Sequence, residues 1–263
     1  MSSSRHSGLY RFLNRLLLRT PLSAEEQEAI LDLPCTMRQI APHTDLVAPG
    51  ETVEHACLVS KGIMARFDQM RGGQRQITAF HIAGDMCDLQ SVLTPTVSWG
   101  TASMNAATVL FIPHAALRRA ARAYPALAVA FWRDGASDAS VLAKWIANIG
   151  RQDSRARLAH LMCEFGLRSE LAGLGTRMSF TFDVTQEQLA DALGLTSVHV
   201  NRTLQRLRAE GVLTTRGRAV DVLDWERLAL IAEFDPGYLL AQRPKPWQRV
   251  VREAAELVGA ALG

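Results

Sequence analysis

The chain has 263 residues, 48% hydrophobic and 21% charged, with 29 Lys and Arg against 26 Asp and Glu for a net charge of +3. That length suits two domains, each with its own core, and the composition is that of a globular chain. No run approaches the ~18 apolar residues needed to cross a membrane. The four cysteines (Cys35, Cys57, Cys87 and Cys163) are scattered without a C-x-x-C pair, which argues against a disulfide framework and fits a reducing cytoplasm.

The N-terminal stretch MSSSRHSGLYRFLNRLLLRTPLS is rich in Ser and Arg and has no acid before Glu25. Transit peptides share that composition, but the apolar cluster is too short for a secretory signal. The stretch reads as a lead-in helix or a loose tail. Ser23 and Glu26 then form an S-x-x-E capping box that opens a helix. From about Met37 to Pro113, short apolar runs are cut by Pro49-Gly50, Lys61-Gly62, Arg71-Gly72-Gly73 and Gly84-Asp85. This is the punctuation of a small all-β fold, with alternation over 63–67 and 76–82, and a jelly-roll-like barrel is expected. After Pro125, the residues Leu127, Phe131, Leu142, Trp145 and Ile149 share one side of a long helix, interrupted by Asp134, Gly135 and Asp138. They are the candidate dimerisation seam; the alternative is a helix that merely covers the β-domain. Residues 150–154 read as a hinge. Residues 155–167 form an amphipathic helix (Leu158, Leu161, Met162, Phe165) that serves as core.

The most informative stretch is 183–223. Thr185 and Gln188 form a second capping box. Leu189 and Leu193 share a helical face, and Gly194 stops the helix because glycine accepts the left-handed conformation there. Thr196 caps the next helix. In it Val200, Leu204 and Leu207 repeat as a buried stripe. The opposite side carries Val198, Arg202 and Gln205, flanked by His199, Asn201 and Arg206. Residues 212–223 alternate as a strand pair turning at Arg216-Gly217. Between Thr196 and Arg218 five arginines (202, 206, 208, 216 and 218) face the single acid Glu210. An ordinary αα-hairpin with a solvated face needs no such focus of charge. A phosphate-contacting element does. The predicted unit is therefore a helix-turn-helix with a β wing that reads double-stranded DNA.

The segment VTQEQLADALGLTSVHVNRTLQRL, with the following GVL and the Arg-Gly wing, resembles the Crp/Fnr superfamily of bacterial transcription regulators. The resemblance extends upstream through PGE (49–51), VSKG (59–62), IAGD (82–85) and the long segment after Pro125. It implies an α+β chain: an N-terminal β-roll sensor domain within 1–124, a dimerisation helix over 125–150 and a C-terminal winged helix-turn-helix domain over 151–235. It also implies a homodimer, whose two reading helices lie about 34 Å apart on a near-palindromic operator. RNA polymerase is then a partner if the protein activates.

Nucleotide-binding members of that family hold ribose with a G-E-L segment and the cyclic phosphate with an R-S-A/T segment. Here those positions carry Cys87-Asp88-Leu89 and Gly100-Thr101-Ala102. Gly100 supplies no charge, and the forked guanidinium contact is lost with it. The candidate effector pocket is Ile63, Arg66, Phe80, Asp88, Leu89 and Thr101, for an unknown signal. A cyclic nucleotide would bind only if Arg66 or Arg75 substituted in a rebuilt pocket. Iron–sulfur chemistry is not expected without closely spaced N-terminal cysteines. His43, His55, His81 and His114 match no metal motif, so no cofactor is predicted, though haem or metal sensing stays an alternative. No catalytic constellation stands out. The other alternative is a small-molecule module whose winged helix serves protein contact.

For DNA, Arg202 is the candidate guanine reader, Asn201 and Gln205 read adenine or phosphate, and Val198 meets a thymine methyl. Thr185, Gln186, Arg216 and Arg218 grip phosphate, with Thr196, Ser197, His199 and Arg206 beside them. Well-known relatives carry glutamate at the position of Val198, so their operators do not transfer. After Pro236, the RPKP run marks a linker, and Trp247, Val250, Val251, Ala254, Leu257, Val258 and Leu262 form a helical stripe in a tail over 236–263.

Overall fold

The computed structural model describes residues 2–239, with side chains from residue 6 onward. The tail stripe from Trp247 to Leu262 lies outside the described residues. The chain opens with α1 (Ser2–Leu17) and α2 (Ala24–Leu31). Both capping-box bonds of α2 form: Glu26 N–H donates to Ser23 Oγ, and Ser23 N–H to Glu26 Oε2.

Seven strands follow: β1 (Thr36–Ile40), β2 (Asp45–Val47), β3 (His55–Lys61), β4 (Met64–Gln69), β5 (Arg75–His81), β6 (Gly100–Ser103) and β7 (Ala107–Pro113). They make two antiparallel sheets, β1-β7-β3 and β2-β6-β4-β5. Cys57, Val59, Met64, Cys87, Ala107 and Val109 fill the space between them. Two cysteines thirty residues apart in sequence thus become neighbours: Cys87 N–H donates to the Cys57 carbonyl at 2.8 Å. Burial pushes the Cys87 thiol well above its ordinary range. The expected alternation fails in β4 and β5, which are buried almost continuously towards their shared end. Both faces are covered there, one by the opposite sheet and the other by helices of the C-terminal half.

Next come α3 (His114–Ala123) and the 27-residue α4 (Pro125–Arg151), which begins with proline at its first helical position. Only Gln152 and Asp153 separate it from α5 (Ser154–Leu171), capped by Asp153. The seam expected on α4 needs correction. Leu127 is buried in a cluster with α1, and Phe131 stacks on Phe12 of α1 at 6.2 Å. Trp145 is buried against α5, where its Nε1–H donates to Glu164 Oε2 at 2.9 Å. Ile149 packs towards Gly194 and Leu142 is half-buried. Leu127, Phe131 and Trp145 are thus engaged within the chain's own core. The outward line is Trp132, Ala136, Ala139, Ala143 and Ile146, spaced 4-3-4-3, with Trp132 69% and Ile146 64% exposed. That spacing is the heptad pattern, carried mostly by alanine.

The C-terminal half adds β8 (Ser179–Thr181), α6 (Gln186–Leu193), α7 (Ser197–Ala209), β9 (Leu213–Arg216), β10 (Ala219–Val222) and α8 (Trp225–Ala232). β8, β10 and β9 form a small antiparallel sheet. One apolar cluster runs without a break from Ile63, Phe67 and Phe80 of the β-roll, through Val141 and Trp145 of α4, into Phe165, Phe182 and Leu204. Phe80 meets Phe182 edge-on at 5.6 Å. Gln76 Nε2 donates to the Asp191 carbonyl at 2.7 Å, and Asn105 Nδ2 to Asp183 Oδ2 at 3.0 Å. The reader domain is thus docked on the β-roll of its own chain.

Buried charge pairs join the N-terminal segment, β4, the turn after β5, α4 and α5. Asp85, in the turn after β5, takes Arg15 of α1 at 2.7 Å and Arg168 of α5 at 2.6 Å. Arg15 also reaches Asp134 of α4 at 2.6 Å, Arg19 reaches Asp134 at 3.2 Å, and Arg66 reaches Asp138 at 2.6 Å. Desolvation offsets most of the attraction in such pairs, so the network contributes mainly position; removing one member is what costs.

Candidate nucleic-acid interface

The reading unit is set up by caps and leucines. Thr185 and Gln188 exchange both capping-box bonds, at 3.1 and 2.8 Å, and start α6. Gly194 has φ +63°, which a side chain would strain, and it lets the chain reverse into α7. Thr196 Oγ1 accepts from His199 N–H to cap α7. Val200, Thr203, Leu204 and Leu207 bury one side of α7 on the domain core, and Thr203 satisfies its hydroxyl on the His199 carbonyl at 2.8 Å.

The other side of α7 faces solvent. Thr196, Ser197, Val198, His199, Arg202, Gln205 and Arg206 are all exposed. Val198 is 62% exposed, which leaves its side chain free to meet an apolar group. Asn201 is half-buried and donates to Gln186 Oε1 at 3.2 Å, tying the two helices together at their surface. Arg206 is held by Glu210, which also accepts from Arg155 of α5. A recess of about 320 Å³ runs between Arg155 and Val198, His199, Arg202 and Arg206. In the wing, Arg216 pairs in register with Ala219, so the tight turn is Gly217-Arg218, one residue beyond the expected position. Arg216 is exposed, and Arg218 is 74% exposed while contacting Asp183 at 2.8 Å. Thr185 and Gln186 are exposed at the start of α6. The twelve residues singled out from sequence therefore all belong to this unit, mostly on its open face.

The candidate effector residues do not converge on one cavity. Asp88 is turned into the fold, where Oδ1 accepts from Cys57 N–H at 2.7 Å. Burial raises its carboxyl to about 7 against the pull of that donor. Leu89 packs in the cluster under α1, whereas Ile63 and Phe80 belong to the cluster facing α5. Arg66 is paired across strands with Thr101 and spends its charge on Asp138 of α4. The space of a phosphate-binding arginine is also taken: a Cβ on Gly100 would lie 2.3 Å from the Phe67 ring. Glycine stands at 100 because that ring packs on its backbone. The histidines are equally dispersed. His114 Nε2 bonds Ser91 Oγ, His55 lies edge-on to Phe111 and His43 contacts Gln188. Among the described residues no group of three His, Cys, Asp or Glu is placed to hold a metal ion.

A capped helix pair with a β wing, joined through a 27-residue helix to a two-sheet β-roll, defines a two-domain winged helix-turn-helix protein of the sensor–reader type. Sequence comparison agrees on both halves. Residues 156–231 match the Crp-like helix-turn-helix domain, and residues 37–124 match the cyclic nucleotide-binding domain. The chain belongs to the Crp/Fnr superfamily of transcription regulators. It is 28% identical to the "Probable transcriptional regulator flp" of Lacticaseibacillus casei, over 77% of this chain and 90% of that one. It is 22% identical to the transcriptional activator protein FnrA of Stutzerimonas stutzeri, over 84% and 90%. Its fold is shared with FixK2 from Bradyrhizobium japonicum, at a TM-score of 0.69 and 24% identity, covering 76% of this chain and 98% of that one.

Sequence reasoning missed the alanine line on α4 and the contacts that dock the reader domain. The first had a signal in the 4-3-4-3 spacing of small residues, which was masked by larger apolar neighbours. The second had none, because Gln76 and Gln188 bond backbone carbonyls.

Proposed function

We propose that this chain is a dimeric, sequence-specific transcription regulator whose two α7 helices enter successive major grooves of a near-palindromic DNA site. The observation that carries the reading is the exposed α7 face, basic and amide-rich around one apolar residue and backed by a fully buried stripe. Arg202 donates a forked pair of hydrogen bonds to guanine O6 and N7, and Val198 meets a thymine methyl. Gln205 reads an adjacent base. Asn201 does so after releasing Gln186. Ser197, Arg206, Arg216, Arg218, Thr185 and Gln186 contact phosphate and fix register.

Dimerisation runs along Trp132, Ala136, Ala139, Ala143 and Ile146. Small side chains let two helices approach closely, and the apolar ends close the seam. Control is a difference in DNA affinity between two poses of the reader domain. The docked pose is one of them, held by the continuous core and the network around Asp85. The function is binding without chemical turnover, in the cytoplasm. If the protein activates, its further partner is RNA polymerase.

Selection from a random double-stranded DNA pool tests this reading. The expected product is an inverted repeat with half-site centres about one helical turn apart. Recovery of sequences with no shared pattern, at an affinity equal to bulk DNA, contradicts it.

A further inference from the structure

The network around Asp85 borders a partly open cavity of about 40 Å³ between α1, β5 and its following turn, α4 and α5. Its wall is unusual in three respects. First, it gathers arginines: Arg11, Arg15, Arg19 and Arg168 line it together with Asp85 and Asp138, while Asp134 and Glu164, which pair with Arg15, Arg19 and Arg168, are not part of its lining. Second, Arg11 bonds a hydroxyl, that of Ser7, and among the described residues makes no ion pair. Third, His81, a residue 3% exposed, lines the cavity, and its Nε2 has no hydrogen-bond partner. Buried polar atoms are almost always satisfied, so an orphan facing a cavity marks a position for something else. Burial holds the His81 imidazole down to about 4, so at neutral pH it is uncharged, and its unpartnered Nε2 is free to carry the ring's one N–H.

We infer that this cavity is a binding site for a small oxyanion, a carboxylate head or an inorganic oxyanion of similar size. Guanidinium forks match planar oxyanions in geometry and charge, and His81 adds a further donor in the tautomer that carries its proton on Nε2. A space of about 40 Å³ suits an anion of only a few heavy atoms. The site is also separate from Asp88, Gly100 and Thr101, which occupy the positions where nucleotide-binding relatives hold their ligand. An anion here touches the N-terminal helix, the β-roll, the dimer helix and the reader domain at once. It therefore has different affinities for the docked and released poses, which makes it an effector of the regulation proposed above and rests on that reading.

The test uses the full chain and two readouts that involve no DNA. Sodium acetate, nitrate and sulfate are titrated against sodium chloride at constant ionic strength. The melting midpoint and the ring nitrogens of 15N-labelled histidine are followed. The expected result is a saturable rise in midpoint with one anion, accompanied by movement of the His81 Nε2 resonance. Which anion acts separates a carboxylate ligand from an inorganic one. Arg11→Ala, which disturbs no ion pair, melts near the parent in chloride and weakens the anion's apparent affinity at least tenfold. Parent and variant midpoints that move together for every anion, or an unmoved His81 resonance, overturn the inference. Such a failure leaves the DNA-reading assignment standing, because it is measured separately.

Discussion

Replacing Asp85 by asparagine is the sharpest single perturbation of the inter-domain junction. Its carboxylate accepts from Arg15, Arg168 and the Ile82 N–H, at 2.7, 2.6 and 2.8 Å. Burial alone would raise this carboxyl. The guanidiniums of Arg15 and Arg168 outweigh it and hold the group down to about 2, from an ordinary 3.8. A shift of that size corresponds to about 2.5 kcal/mol between the charged and neutral forms. Asparagine keeps the shape but turns an amide towards two guanidiniums, so the full loss is on the order of 3–5 kcal/mol. Arg15 keeps Asp134 and Arg168 keeps Glu164, which places the expected value at the lower end. Urea unfolding at pH 7 measures it. The pH profile gives a second readout with a definite sign. A carboxyl lowered by folding contributes stability above pH 4, and that contribution is lost as pH falls towards 2. The wild type should show that loss and Asp85→Asn should not. A destabilisation below about 1 kcal/mol, or parallel acid profiles, would refute the description of Asp85 as the keystone of the network.

Other substitutions give independent outcomes. Ala143→Asp puts a charge in the middle of the outward α4 line, and sedimentation should report a monomer with unchanged helix content; a persistent dimer would place the interface elsewhere. Asp88→Asn keeps the acceptor for Cys57 N–H and removes a carboxyl that burial raises to about 7. A raised carboxyl costs stability progressively as pH climbs from its ordinary value to 7. The variant should therefore exceed the wild type by up to ~4 kcal/mol above pH 7 and match it near pH 4. Equal stability at pH 8 would mean that Asp88 carries its charge without penalty.

The two halves were not equally legible in the sequence. The capping pairs Ser23–Glu26 and Thr185–Gln188, the stop at Gly194 and the stripe Val200–Leu204–Leu207 all formed as read, because each depends on neighbours within a turn or two of helix. The burial of β4 and β5 was misjudged, since alternation presumes one wet face and the reader domain covers it. Leu127 and Trp145 were assigned outward for a related reason. Periodicity finds a helix's apolar face but cannot say which of two partners receives it. The charge network and the cavity beside His81 join residues 15, 19, 81, 85, 134, 138 and 168, and no local pattern links positions so far apart. The lack of an arginine at position 100 was readable, but the ring of Phe67 packed against that glycine was not.

The decisive measurement is a titration of wild type and Arg202→Ala against the selected operator and its single-base-pair variants, at two salt concentrations. If α7 reads bases from the major groove, the wild type discriminates at one G·C pair in each half-site. Arg202→Ala then loses about 1–3 kcal/mol there and becomes indifferent to that pair, with an unchanged salt slope. If Arg202→Ala weakens binding equally on every sequence, or the wild type binds the operator no better than competitor DNA, then α7 does not read DNA in this way.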